Sequence, residues 1–311
     1  MKKILITGGS GYLGTRLAIN LKKKYKIFLG SRNNYLNRKA QDFTKCEVFP
    51  LDITNINSVK DIINRIKPNI IIHAAASKYV DTSESNPNEC IDVNVLGSQN
   101  IARVAIDNNL DSVIGISTDK AAPPYSNIYG LTKSLMERLF NKLAFQSKTK
   151  FSCVRFGNIV WSTGSIFPIW SEMIEKNNII YSTGPNMRRF FFTVNDACIL
   201  VETAINQIKY LNGKILISKM KSAKIENILN IWCDIYNSKW NKIANREGDK
   251  IDENLIGLNE ISSAFLHKFN KKEYIILDYK KNNCRYFKEY VSSRYSYKLS
   301  NKEIKDLILS K

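Results

Sequence analysis

A chain of 311 residues, 44% of them hydrophobic, is long enough to bury one large core, or a large and a smaller one, and too apolar to stay disordered. No run of about 18 apolar residues occurs, so no membrane insertion is expected; the short apolar stretch after Lys2 and Lys3 meets glycine too soon for a signal peptide. The net charge of +19 is spread along the chain without an arginine-rich or aromatic-interleaved stripe, which argues against nucleic acid and suits attraction of a small anionic substrate.

In chain order, residues 3–7 predict a buried parallel strand and 13–24 a helix with Leu13, Leu17 and Leu21 on one face. Further strands are predicted at 26–32, 46–54, 69–76, 112–118 and 150–160, with helices at 56–66, 88–109 and 127–147. This alternation predicts an α/β fold, a doubly wound parallel sheet of Rossmann type, over residues 1–160. Beyond about residue 161, Gly164, Gly184, Pro185 and Gly213 punctuate short segments. Strands at 214–220 and 274–279, a helix at 223–237 and a Ser300-capped terminal helix are expected there. Residues 161–311 are therefore expected to form mainly a smaller C-terminal substrate-binding lobe, with some segments returning to the first domain.

The six cysteines are scattered with no Cys-x-x-Cys pair, and there are two histidines, so no metal site is expected. Reduced thiols in a cytoplasmic protein fit this pattern. His73, at the end of an apolar strand, reads as a packed core residue.

The turn after the first strand, Thr7-Gly8-Gly9-Ser10-Gly11-Tyr12-Leu13-Gly14, opens a helix and carries glycines at 8, 11 and 14. The first permits the tight turn, the second lets the backbone approach a pyrophosphate at the helix N-terminus, and the third allows close packing of helix on strand. NAD sites usually carry an acid at the end of the second strand. This chain has Ser31-Arg32, a hydroxyl and a guanidinium suited to a 2′-phosphate, so NADP is favoured over NAD. Asp52 and Ile53 after the third strand are candidates for the adenine, and Ala74, Ala75 and Ala76 are small enough for the cofactor to lie over the fourth.

The stretch from Ser117 to Lys133 carries the chemistry. Tyr129 and Lys133, four apart on a helix, share a face, and the lysine can lower the phenol's pKa. Asp119 and Lys120 add an acid and a base, which suggests alcohol oxidation combined with loss of water.

On these residues the chain resembles the extended short-chain dehydrogenase/reductases, and within them the soluble UDP-N-acetylglucosamine 4,6-dehydratases that invert C5 in surface-glycan and nonulosonic acid pathways. The likeness runs through HAAASKYV (73–80), SESNPNECIDVNVLGSQN (83–100), STDKAA (117–122), IYGLTK (128–133), RFGNIVWSTGSIFP (155–168), MRRFFFTVNDA (187–197), a degraded GDKIDE (248–253) and the tail VSSRYSYKLSNKEIKDLI (291–308). Plain epimerases of the superfamily usually carry serine or threonine where Asp119 and Lys120 stand, and a C5-retaining group has methionine in place of Tyr129. Two departures stand out. The loop between Lys120 and Tyr129 is one residue longer than usual, and Arg246-Glu247 precedes Gly248 where proline is common.

The resemblance implies a role for each residue. Tyr129, assisted by Lys133, takes the proton of the sugar C4 hydroxyl. Lys120, as a free amine, removes the C5 proton and returns one on the opposite face, and protonated Asp119 assists departure of the C6 hydroxyl. Thr118 would bond the C4 oxygen, Lys78 would touch substrate, and Asn158 and Arg189 would hold the diphosphate of a UDP-sugar. The rivals are a UDP-sugar 4-epimerase using Tyr129 and Lys133 alone, and a non-catalytic NADP-binding regulator. Leu131, Leu135, Leu139 and Leu143 form an apolar stripe that packing against the sheet would explain; the resemblance implies pairing through such helices, a homo-oligomer, dimer or higher.

Overall fold

The computed structural model describes residues 1–245 and 248–310. Arg246 and Glu247, one of the two departures from the family pattern, lie outside the described residues.

Six strands, β1 (Lys3–Thr7), β2 (Lys26–Ser31), β3 (Glu47–Pro50), β4 (Ile70–His73), β5 (Ser112–Ile116) and β6 (Lys150–Arg155), pair in parallel in the order β3-β2-β1-β4-β5-β6. β1 and β4 read KILIT and IIIH and are buried almost throughout, as strands covered by helices on both faces must be. Three later strands extend this sheet beyond β6. Ile215–Ser218 joins in parallel, and the hairpin Ala264–Phe269 and Lys272–Leu277 adds antiparallel to it. The strand order reverses between β1 and β4, so a crevice opens at the carboxyl ends of these strands.

A second core lies apart from the sheet. Trp161, Phe167, Trp170 and Trp232 pack edge to face, with Phe167 and Trp232 centroids 5.1 Å apart, and Ile304 and Ile308 of the terminal helix close it. Ser300 caps that helix in a reciprocal box with Glu303. Small sheets flank this core: Asn158–Ile159, Arg188–Phe192 and Ser222–Lys224 form one, and Ile179–Ser182 with Lys239–Lys242 the other. Among the described residues no helix is long and apolar enough to cross a membrane.

Several expected elements are shorter or broken. The strand expected over 150–160 stops at Arg155, and Asn158–Ile159 resumes in the smaller sheet, paired with Phe191 and Phe192. The helix expected over 88–109 is three pieces: Pro87–Ile91, a π turn Asp92–Leu96, and Gly97–Asp107. Asn94 in the π turn is buried and spends its amide on tertiary partners. Its Nδ2 donates to the Ser77 carbonyl (2.9 Å) and Thr132 Oγ1 (3.0 Å), and its Oδ1 accepts from Ser77 N (2.8 Å). One widened turn thus ties the segment after β4 to the helix Ile128–Leu143. The leucine stripe on that helix also divides. Leu139 and Leu143 pack against the core, whereas Leu131 and Leu135 are exposed.

Candidate active site

The crevice at the strand ends is a cleft of about 630 Å³. One wall is the turn after β1, where Gly8, Ser10, Gly11, Tyr12, Leu13 and Gly14 all line it. Gly8 has φ +66°, and a Cβ there would stand 2.7 Å from Ala75 N, so no other residue fits the turn. Gly11 N donates to Gly8 O (3.0 Å), and the helix Tyr12–Leu21 begins directly after it. Ser31, Arg32, Ile53, Ala74, Ala75 and Ala76 continue the same surface.

Two details of this wall depart from expectation. Asp52 does not line the cleft. Its Oδ1 accepts from Thr54 N (3.0 Å) and Thr54 Oγ1 (2.8 Å), a local turn that ends β3 early. An acid does reach the end of β2, but from elsewhere: Glu89 Oε1 lies 3.5 Å from Arg32 Nη2, both half exposed at the cleft rim. His73 takes no part. It is buried, with Nδ1 2.8 Å from Thr7 Oγ1 and Nε2 3.0 Å from Ser98 Oγ, and burial, with Lys133 adding, pushes its pKa down to about 3.

The other wall begins after β5. Thr118 caps a single 3₁₀ turn, Asp119–Ala121, and its hydroxyl donates to Asp119 Oδ1 (3.0 Å). The helix Ile128–Leu143 starts against this turn, with Asn127 Oδ1 accepting from Gly130 N (2.7 Å). A Cβ on Gly130 would run into the Lys120 carbonyl oxygen, so glycine beside Tyr129 is what lets the helix and the 3₁₀ turn touch. Thr118, Lys120, Tyr129 and Lys133 line one continuous surface, while Asp119 is buried immediately behind it.

The electrostatics differ from the simple Tyr–Lys picture. Burial pushes the Tyr129 phenol up to about 12, and the chief influence opposing this is the charge of Lys120, followed by a hydrogen bond with Thr118. Lys133 Nζ instead lies 3.4 Å from Met136 Sδ, and burial brings its pKa down to about 8. Lys120 was expected as a free amine. Burial favours that, but Asp119 (3.1 Å) and Glu253 (3.2 Å) reverse it and hold the amine well above its ordinary value. Burial, above all, raises the Asp119 carboxyl, with the Glu253 charge contributing.

Glu253 reaches Lys120 because the segment 248–257 lies over the loop between Lys120 and Tyr129. Asn127 Nδ2 donates to Gly248 O (3.2 Å), Asn254 Nδ2 to Pro123 O (3.3 Å), and Lys250 to Pro124 O. Of the expected substrate contacts, Lys78 and Asn158 line the cleft. Lys78 Nζ donates to Thr163 O (2.6 Å), and Asn158 Nδ2 to Phe190 O (3.1 Å). Arg189 does not line it. It donates to the carbonyls of Arg188 (3.0 Å) and Ile251 (3.3 Å), and its Nε is 3.9 Å from Glu253. Arg188 is engaged too, forked onto Asp252 at 2.6 and 2.8 Å.

A family model described as polysaccharide biosynthesis protein matches residues 4–275. The chain belongs to the polysaccharide biosynthesis protein family. This family member is 31% identical over 277 residues to a UDP-N-acetylglucosamine 4,6-dehydratase (inverting) of Campylobacter jejuni, covering 83% of the chain and 78% of that protein. It is 34% identical over 278 residues to a UDP-glucose 4-epimerase of Rickettsia bellii, covering 85% and 80%. The X-ray structure of Pen from Bacillus thuringiensis superposes with a TM-score of 0.89 at 30% identity, over 99% of this chain and 97% of that one. The protein is thus an enzyme of the sugar-nucleotide dehydratase/epimerase group on an extended short-chain dehydrogenase/reductase fold.

Sequence reasoning assigned no role to Glu253, Glu89 or Asn94. All three lie inside stretches that carry the family resemblance, GDKIDE for the first and SESNPNECIDVNVLGSQN for the others. Nothing local distinguishes them there from surface acids or a helical asparagine.

Proposed function

We propose that this protein is an NADP-dependent UDP-N-acetylglucosamine 4,6-dehydratase that inverts C5, a lyase of surface polysaccharide or nonulosonic acid biosynthesis. The observation that carries this reading is Lys120 lining the same cleft as Tyr129 with Asp119 paired to it from immediately behind, since epimerisation at C4 has no use for a second acid–amine pair. Residues 1–160 hold the dinucleotide, and the smaller lobe covers the sugar with Lys78 and Asn158 at its edge. A dinucleotide held by the turn after β1, Ser31, Arg32 and the alanines after β4 would supply the hydride chemistry between C4 and C6 of the sugar. Tyr129 takes the C4 hydroxyl proton, aided by the nearby Lys120 charge, and Thr118 holds the C4 oxygen. Lys120 and Asp119 share one proton in the resting pair. Moving it from amine to carboxylate gives the base that takes the C5 proton and the acid that protonates the departing C6 hydroxyl.

Incubation with NADP⁺ and UDP-N-acetylglucosamine is expected to give a product lighter by one water, with C5 configuration read by proton NMR. A product of unchanged mass would support the epimerase instead, and dinucleotide binding without turnover would support the regulator.

NADP preference rests on Arg32, which lines the cleft at the end of β2 beside Ser31. Arg32→Ala is expected to weaken NADPH binding by roughly 10–100-fold, the worth of a charge-assisted hydrogen bond, and to leave NADH binding within about twofold. Titration of both reduced dinucleotides by fluorescence checks this; an unchanged ratio removes the assignment. The free cysteines suit a reducing compartment, the cytoplasm. Exposed Leu131 and Leu135 mark the helix face proposed to pair with a second copy of the chain.

A further inference from the structure

We propose that Glu253 is a positioning residue that sets the proton balance of the Asp119–Lys120 couple. Its Oε1 lies 3.2 Å from Lys120 Nζ, and Asp119 Oδ1 lies 3.1 Å from the same nitrogen. Both carboxylates are buried, and one oxygen of each, Asp119 Oδ2 and Glu253 Oε2, has no hydrogen-bond partner among the described residues. Buried polar atoms are rarely left so, and catalysis is one reason they are kept. The Glu253 backbone is held from both sides by Ser293, whose Oγ accepts from Glu253 N (3.0 Å) and whose N donates to Glu253 O (2.8 Å).

Among the described residues, the other charged groups facing Lys120 are Arg189 from the strand Arg188–Phe192 and Lys250 from the segment that carries Glu253; Tyr129 faces it from its helix. The two cations favour loss of the Lys120 proton, and the two carboxylates oppose it. Elimination needs an amine and a carboxylic acid together. Transfer of a proton from Lys120 Nζ to Asp119 breaks one N–H bond, forms one O–H bond and leaves the net charge unchanged. Glu253 supplies the neighbouring negative charge that keeps this proton on the couple rather than releasing it to solvent. It acts through Lys120 and Asp119 and need not touch the sugar. Its chemical consequence rests on the dehydratase reading, but its effect on the amine does not.

The test is Glu253→Gln in the full-length protein. The rate of Lys120 acylation by acetic anhydride, followed by peptide mass spectrometry across pH, reports the amine directly. Removing one negative charge at this distance is expected to move the profile acidward by about one pH unit or more, a roughly tenfold rise in rate at pH 8. Both limbs of the dehydration pH profile should move the same way, because both members of the couple lose the same neighbour. Glu253→Asp, its charge one methylene further off, should fall between wild type and the glutamine variant. A folded Glu253→Gln protein with unmoved Lys120 reactivity overturns the proposal, whatever its turnover. If that variant does not fold, wild-type Lys120 reactivity in the aspartate variant overturns it. Wild-type protein that releases no dehydrated product refutes the dehydratase reading and leaves the amine measurement to judge Glu253 alone.

Discussion

Lys120→Ala is expected to abolish water loss from the sugar nucleotide, lowering dehydration by roughly 10²–10⁴-fold, the usual contribution of a positioned general base. Lys120 lines the cleft on the 3₁₀ turn after β5, and its neighbours keep its amine within reach of the helix that carries Tyr129. NADPH affinity should stay close to wild type, because the wall proposed to hold the dinucleotide is the turn after β1, the end of β2 and the alanines after β4. Mass spectrometry of the product and exchange of solvent deuterium into C5 check the two halves of the claim separately. The variant leaves Asp119 and Glu253 buried without their shared cation, so its melting temperature must be recorded alongside. A folded variant that dehydrates at the wild-type rate removes Lys120 from the mechanism, and with it the catalytic consequence of Glu253, while the effect of Glu253 on the amine is still judged by Lys120 reactivity.

Arg155→Ala is expected to cost about 3–5 kcal/mol of folding stability, the effect of stripping the partner from buried charges. Arg155, the last residue of β6, is wholly buried. Its Nε and Nη2 donate to Glu137 (3.0 and 2.6 Å), and Nη1 and Nη2 donate to Glu260 (2.8 and 2.9 Å), with Nη1 also reaching Leu255 O (2.9 Å). The two acids respond differently. Burial dominates at Glu137 and raises its pKa. At Glu260 burial pushes the same way, but Arg155, the Tyr279 hydroxyl and the Gly257 N–H together hold the carboxyl below its ordinary value. This network joins the helix of Tyr129 and Lys133 to the segment of Glu253. The same variant should therefore also lose activity at temperatures where it remains folded. Denaturant unfolding measures the first effect and turnover at low temperature the second. Arg155→Met combined with Glu137→Leu and Glu260→Gln is expected to recover part of the stability, since the penalty comes from unpaired charge rather than lost volume.

The features legible without coordinates are those whose reason is local. The glycine turn, the Ser31-Arg32 strand end, and Tyr129 and Lys133 on one helix each follow from φ preferences, strand length or helical spacing within a few residues. The apolar runs of β1 and β4 announce strands buried on both faces. The errors arise where contacts between distant parts of the chain decide. The 88–109 helix is periodic in sequence, and only the demand of Ser77 and Thr132 on Asn94 opens it into a π turn. In the 150–160 run the non-apolar residues Lys150, Ser152, Arg155, Gly157 and Asn158 are scattered among apolar ones, so nothing in it marks where the chain leaves one sheet for another.

The order of residues by itself determined the strand–helix alternation, the cofactor turn and the Asp119, Lys120, Tyr129, Lys133 quartet, because backbone geometry and side-chain spacing act over one or two turns of chain. Tertiary structure alone decided which acids stand beside which cations: Glu253 at Lys120, Glu89 at Arg32, and Glu137 with Glu260 on Arg155. Protonation follows from those neighbours and from burial. Whether Lys120 rests as an amine or an ammonium is therefore a property of the folded pocket, where the adjacent Asp119 and the sequence-distant Glu253 outweigh the desolvation that would have neutralised it.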